Sequence, residues 1–109
     1  MVVATIKVLV PQNKRREMMQ TLQSLTDSIR GQPGCLRYHF FAEIGNENSL
    51  CVMEEWRTRA DLDRHLRSRD FSVLFGAINL LHGPEAVEFR LLTPTGGREV
   101  IDDVRTKTT

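Results

Sequence analysis

The stretch from Glu54 to His65, EEWRTRADLDRH, decides the fold, because it has the pattern of a strand that runs into a helix. Its Thr58, followed three residues later by Asp61, is typical of a capping box. In a capping box, side-chain oxygens accept hydrogen bonds from the free backbone N–H groups at the start of a helix. We therefore predict a helix from Thr58 to Arg69.

Two polar rings of this stretch point at an apolar layer. Trp56, the only tryptophan of the chain, closes the strand. His65 shares one face of the helix with Leu62 and Leu66, because the three residues follow the i, i+3, i+4 spacing of a buried stripe. An indole N–H and an imidazole in such a layer indicate a site.

The composition bounds the class of protein. The chain has 109 residues, of which 40% are hydrophobic and 27% charged, and this indicates one globular domain. The net charge is +1, so no broad electrostatic field favours nucleic acid or a membrane surface. There is no apolar run of roughly 18 residues and no signal-peptide pattern, so we expect a cytoplasmic protein without membrane contact. Cys35 and Cys51 show no metal-ligand spacing and are expected to be thiols.

The elements before the deciding stretch follow from two periodicities. Residues 2–10 alternate as a strand, and a helix from about Asn13 to Arg30 follows and ends at Gly31. The predicted apolar positions are Val2, Ala4, Ile6, Val8 and Val10 in the strand and Met18, Leu22, Leu25 and Ile29 in the helix.

A hairpin connects this helix to the deciding stretch. Its predicted strands are Cys35 to Glu43 and Ser49 to Arg57, joined through Gly45–Asn48, with a register centred on Asn46. The register pairs Arg37 with Glu55, Tyr38 with Glu54, Leu36 with Trp56, Phe40 with Val52, and Ala42 with Leu50. The more apolar face, which contains Trp56, is predicted to lie under the helices.

The remaining elements complete the pattern. A second helical piece is predicted after the first, capped by Asp70 and ended by His82-Gly83-Pro84, and a last strand covers Glu85–Leu92. The inward positions of this second helical piece are Phe71, Leu74, Phe75, Ile78 and Leu81. Residues 94–109 are polar and are expected to be a disordered tail or an arm laid on a partner.

The element order β-α-β-β-α-β predicts an α+β fold of the ferredoxin-like type over residues 1–93. Its antiparallel sheet has helices on one face. The other sheet face is also apolar, with Val3, Leu9, Phe41, Met53 and Leu92. Packing two such faces together buries them, so we expect a homodimer.

Three motifs resemble the antibiotic-biosynthesis-monooxygenase domains, which include small quinol monooxygenases and oxygenases of polyketide anthrones. The motifs are Pro33–Tyr38 (PGCLRY), Val52–Trp56 (VMEEW) and Leu62–Leu66 (LDRHL) with Ser68 and Phe71. The resemblance covers residues 2–93. It implies a dimeric α+β barrel with a pocket between sheet and helices in each subunit.

For function, the resemblance implies oxidation of a small phenolic aromatic by O2 without metal or other cofactor. This chemistry is feasible because a phenolate can itself reduce O2 when the protein excludes water and stabilises the developing anion. His65 and Trp56 are then the expected catalytic residues, as proton acceptor and hydrogen-bond donor. The expected substrate-binding residues are Tyr38, Phe40, Glu54, Phe71 and Phe75.

Alternatives remain open at this point. Trp56 and His65 each have a purely structural interpretation, and Glu54 is an acceptor either for Tyr38 or for a helix N-terminus. The scaffold also suits another reaction, such as isomerisation or degradation of a signalling metabolite, and a dimeric binding or stress-associated protein without turnover. Haem-degrading relatives use an Asn on the first strand, which residues 2–10 lack, so haem is not expected.

Overall fold

A computed structural model of the chain describes residues 1–81 and 87–107. The described strands are β1 (Val2–Leu9), β2 (Cys35–Glu43), β3 (Asn46–Trp56) and β4 (Val87–Leu92), and the α-helices are α1 (Arg15–Arg30), α2 (Arg59–Leu66), α3 (Arg69–Asn79) and α4 (Arg98–Thr106). The strands lie in the order β2–β3–β1–β4, and each neighbouring pair is antiparallel. This is the predicted ferredoxin-like α+β fold, with α4 added after it. The predicted turn His82-Gly83-Pro84 and the strand start at Glu85 lie outside the described residues.

The core lies between the sheet and the first three helices. Each of the four residues predicted for the apolar stripe of α1 is buried, as are alternate residues of β1. The fully buried side chains include Ala4, Ile6, Leu22, Ile29, Leu50, Val52, Leu62, Leu74 and Ile78. The helical period of 3.6 residues and the strand period of two residues therefore predicted most of these core positions from the sequence.

The hairpin register is confirmed from Arg37 to Ala42, including the Arg37–Glu55 and Tyr38–Glu54 pairs. The predicted pairing of Leu36 with Trp56 is wrong, because an irregularity between residues 35 and 37 places Cys35 opposite Trp56. A bulge of this kind shifts the side-chain alternation by one position. Leu36 consequently points to solvent and is 43% exposed.

The two helix starts differ in how well they were predicted. Thr58 caps α2 as expected: its Oγ1 accepts a hydrogen bond from the Asp61 backbone N–H at 3.1 Å. Asp70 does not cap α3. Ser68 does, because it keeps an extended backbone and its Oγ accepts from the Phe71 N–H at 3.2 Å. The carboxylate of Asp70, in the first turn of the helix, is thereby left to bind elsewhere.

The turn before β2 holds the start of α2 in place. Gly34 has φ +81°, and a Cβ at this position would overlap the Asp61 side chain. Its carbonyl accepts from the Arg57 N–H at 2.8 Å. The α1–β2 turn and the N-terminus of α2 are thus in direct contact, and only glycine fits between them.

Apolar side chains are exposed on the sheet face opposite the helices and on the helix α4. The sheet face opposite the helices presents Leu9, Phe41 and Leu92, of which Phe41 is 50% exposed. Residues 98–106 form the helix α4, although the segment was expected to be disordered or an arm. Val100, Ile101 and Val104 are exposed on it. The role of the segment as an arm on a partner stays a prediction.

Candidate functional site

Glu54 lies at the centre of a buried polar cluster. Trp56, two residues further along the same strand face, donates its Nε1–H to Glu54 Oε1 at 3.2 Å. The other carboxyl oxygen, Oε2, lies 3.0 Å from His65 Nε2. The three side chains are at most 1% exposed. One carboxyl group thus joins the two polar rings that the sequence singled out.

Trp56 and His65 also touch face to face. Their ring centroids are 4.6 Å apart and their planes differ by 25°, which is a stacked arrangement. Trp56 comes from the end of β3 and His65 from the last turn of α2, so the short connection capped by Thr58 sets this contact. The structure therefore brings both expected catalytic residues together.

A second set of bonds continues from the other side of the imidazole. His65 Nδ1 lies 2.9 Å from Gln32 Oε1, and Gln32 Nε2 donates to Asp70 Oδ2 at 3.0 Å. Sequence reasoning missed Gln32 and treated Asp70 as a helix cap. The only sequence signal was weak: Gln32 stands beside the Pro-Gly turn of the family-like motif, and no helix or strand periodicity includes it.

One hydrogen lies between Glu54 and His65. Carboxylate oxygens accept and an imidazole nitrogen either donates or accepts, so the 3.0 Å contact between Glu54 Oε2 and His65 Nε2 is a hydrogen bond that holds one hydrogen. Burial away from water makes the unpaired charge of either residue costly, which favours retention of the pair.

Tyr38 lies beside this cluster but is not bonded to it. It pairs with Glu54 across the hairpin and is fully buried, yet its hydroxyl finds no hydrogen-bond partner among the described residues. Burial, with a smaller contribution from the Glu54 charge, raises the pKa of Tyr38 well above its ordinary value. The sequence alternative in which Glu54 accepts from Tyr38 is not what the structure shows. Phe40 is half-buried against the core edge.

An apolar cleft of about 230 Å³ opens next to the cluster. It is lined by Ile6, Leu66, Phe71, Phe75, Ile78, Val87 and Phe89. The rings of Phe71 and Phe75 stack with centroids 5.8 Å apart. Since an apolar cavity of about 150 Å³ suffices for benzene, the cleft has room for an aromatic ring. Of the five expected substrate-binding residues, Phe71 and Phe75 line it, and Tyr38, Phe40 and Glu54 do not.

Phe71 connects the cleft to the cluster. Its ring meets the His65 imidazole edge to face, with centroids 5.5 Å apart. The imidazole itself is 1% exposed. Phe71 therefore contacts both the imidazole of the Glu54–His65 pair and the space in which a ligand fits.

Among residues 1–81 and 87–107, no group of three or more His, Cys, Asp or Glu side chains is arranged to hold a metal ion. Over that same part of the chain, no helix combines the length and apolarity of a membrane span.

Comparison with known proteins identifies relatives. The family model described as "Antibiotic biosynthesis monooxygenase" matches residues 1–75. An uncharacterized Synechocystis protein is 31% identical over 70 residues, covering 64% of this chain and 48% of the relative, so the match spans about half of that protein. YcnE of Bacillus subtilis, which is named as a candidate monooxygenase, is 30% identical over 71 residues, covering 65% of this chain and 75% of the relative.

Solved structures agree on the fold. A conserved protein from Methanosarcina mazei superposes with a TM-score of 0.79 at 26% identity, covering 86% of this chain and 92% of the other. SnoaB, a cofactor-independent oxygenase from Streptomyces nogalater, superposes with a TM-score of 0.74 at 20% identity, covering 87% and 93%. At that identity, the likeness to SnoaB concerns the fold alone.

Proposed function

Because the chain belongs to the antibiotic biosynthesis monooxygenase family, we propose that it oxidises a small phenolic aromatic, such as a quinol or an anthrone, with O2 and without a metal or flavin. The observation that carries the proposal is the placement of the cleft: a ring-sized apolar space lies one aromatic side chain away from a buried carboxyl–imidazole pair. SnoaB, on the same fold, is a cofactor-independent oxygenase.

The apolar cleft fits the first requirement of this chemistry, which is to hold an electron-rich ring away from water. The stacked rings of Phe71 and Phe75 offer a flat surface on which an aromatic substrate packs. A phenolate in such a dry site is held near O2 with little solvation, so it transfers an electron to O2 more readily than in water.

The Glu54–His65 pair fits the second requirement, which is to take up the proton that the phenol loses. For a ring carbon with two hydrogens, one atom of O2 becomes the carbonyl oxygen and the other leaves as water with those hydrogens, so the reaction balances without another reductant. Phe71 contacts both His65 and the substrate space, so proton transfer between them requires this ring to move. The stack on Trp56 holds the imidazole in place during that movement.

The working form of the protein in this proposal is a homodimer. The sheet face with Leu9, Phe41 and Leu92 is too apolar to remain in water, and a second copy of the same face covers it. In a ferredoxin-like fold, that contact leaves the helix side of each subunit, and hence each cleft, separate.

A ligand-binding protein without turnover is the second candidate, favoured by a specific observation. Both ring nitrogens of His65 and the Nε1–H of Trp56 already have intramolecular partners, so neither residue presents a free polar atom to the cleft. A binding protein would retain the apolar cleft and use the polar cluster only to stabilise its wall.

Oxygen uptake in the presence of hydroquinones and anthrones distinguishes the two candidates. The proposal expects uptake that saturates with substrate, and it expects His65→Gln to lower turnover by about 10²-fold, the usual contribution of one acid–base group. Asp63→Asn is the matched control, because the Asp63 carboxylate pairs with Arg59 and does not line the cleft. Tight binding of the aromatic without oxygen uptake would establish the second candidate instead.

A further inference from the structure

Gln32 and Asp70 form a hydrogen-bonded path that reaches His65 from the side opposite Glu54. Gln32 lies in the turn between α1 and β2, and its Oε1 is 2.9 Å from His65 Nδ1. Its amide nitrogen has two acceptors at the start of α3, Asp70 Oδ2 at 3.0 Å and Ser68 Oγ at 3.4 Å. The proposed reaction gives these residues no role of their own.

The acceptors at the start of α3 determine how the amide is turned. Asp70 Oδ2 also accepts from the Ser28 hydroxyl at 2.7 Å, so this oxygen already acts as an acceptor. A reversed amide would place the Gln32 oxygen against this carboxylate, where two acceptors repel. The amide oxygen therefore faces His65, and since an amide oxygen only accepts, His65 Nδ1 must carry a hydrogen.

We infer that Gln32 and Asp70 are positioning residues that keep the hydrogen on His65 Nδ1 and thereby confine the exchangeable proton to the line between His65 Nε2 and Glu54 Oε2. Trp56 supports the same arrangement from the other end, because its N–H occupies Glu54 Oε1 and leaves Oε2 for the shared proton. The catalytic consequence rests on the proposed function, whereas the assignment of the proton does not.

These residues act through His65 and not on a ligand. Neither Gln32 nor Asp70 lines the apolar cleft. Their effect on a reaction in the cleft is therefore to set which nitrogen of His65 exchanges a proton and how its ring is oriented. The connection also ties the ring, which belongs to α2, to the α1–β2 turn and to α3.

The ¹⁵N chemical shifts of the imidazole nitrogens test the proton assignment directly. In the uniformly labelled full chain, His65 should show Nδ1 in the protonated range, and Gln32→Met should move Nδ1 toward the non-protonated range. Asp63→Asn is the matched control, because the partly exposed Asp63 carboxylate of α2 pairs with Arg59 and lies outside the path formed by Gln32, His65 and Asp70. The other two histidines serve as internal references.

Two results would overturn the inference: a wild-type Nδ1 without a hydrogen, or a folded Gln32→Met chain with an unchanged Nδ1 shift. If Gln32→Met does not fold, Asp70→Leu gives the same test, because it removes the acceptor that orients the amide while leaving Gln32 in place. An Nδ1 shift that Asp70→Leu leaves unchanged would likewise overturn it.

Turnover supplies a second readout. If oxygen uptake is found, Gln32→Met should lower kcat about 10-fold or more, as is usual for a residue that orients a functional imidazole, and leave KM nearly unchanged. A kcat equal to that of Asp63→Asn would remove the catalytic role. If no aromatic is oxidised at all, the proposed function fails, and the ¹⁵N result still decides the proton assignment independently.

Discussion

Replacing Trp56 with Phe tests whether the indole N–H contributes to the stability of the fold or only to catalysis. The substitution keeps an aromatic ring against His65 and deletes the donor to Glu54 Oε1 at 3.2 Å. A hydrogen bond to a charged group in a buried place contributes about 1.5–3 kcal/mol. The smaller ring adds a void that costs about 1 kcal/mol. We therefore expect a loss of about 3 kcal/mol in the free energy of unfolding, or roughly 12 °C in Tm for a domain of this size.

Urea denaturation in two backgrounds isolates the hydrogen bond from the void. In Glu54→Met, which has no carboxyl group, the further change Trp56→Phe should cost only about 1 kcal/mol, the void alone. The difference between the two backgrounds is the coupling energy of the pair. Equal losses in both backgrounds would refute the bond. A nearly unchanged Tm in the single variant, which sequence reasoning expects if the N–H serves only catalysis, would refute it as well.

Three further outcomes follow from particular contacts. Gly34→Ala should lower the free energy of unfolding, measured in urea, by about 3 kcal/mol, because it combines a positive φ with loss of the Asp61 cap. Gly45→Ala is the control, at φ +91° but in open space, and should cost about 1–2 kcal/mol. Equal costs would contradict the role of the Asp61 contact. Tyr38→Phe should raise stability by about 1 kcal/mol at pH 7, because it removes a buried hydroxyl that lacks a partner among the described residues. The pKa of Tyr38 is raised in the folded chain, so the stability that its neutral form contributes is fully present below the ordinary tyrosine pKa of 10.0 and is lost as the pH rises further. The wild type should therefore lose stability above pH 10.0, and the variant should lose less. Parallel pH profiles of the two chains would contradict this. Light scattering should give about twice the chain mass of 12.5 kDa, and a stable folded monomer would contradict the proposed dimer.

Much of the fold could be predicted because its determinants are local. The apolar spacing in β1 and α1, the Thr58 cap and the opposite-charge pair Arg37–Glu55 each act over a few residues or one hairpin. The error at Leu36 has a physical cause: a one-residue bulge changes the side-chain face without any change in composition. The wrong prediction of Asp70 as the cap of α3 has a similar origin, because Asp70 and Ser68 are both good capping residues. The tertiary partners of Asp70 favour Ser68 as the cap.

The candidate site could be predicted only in part. Trp56 and His65 were found because polar rings on apolar faces are unusual, and Glu54 followed from the strand alternation. Gln32 left no such signal, because its contact with His65 joins residues 33 positions apart in sequence through a turn. The lack of a hydrogen-bond partner for the Tyr38 hydroxyl among the described residues also depends on its neighbours in space, and sequence spacing does not predict these neighbours.

The measurement that tests the central claim most directly is oxidation of an anthrone under ¹⁸O2, followed by mass spectrometry of the product. The account predicts one ¹⁸O atom in the carbonyl of the product and the other in water, at a rate that His65→Gln lowers by about 10²-fold. An unlabelled product with hydrogen peroxide, or labelled product formed equally fast by the His65→Gln chain, would contradict it.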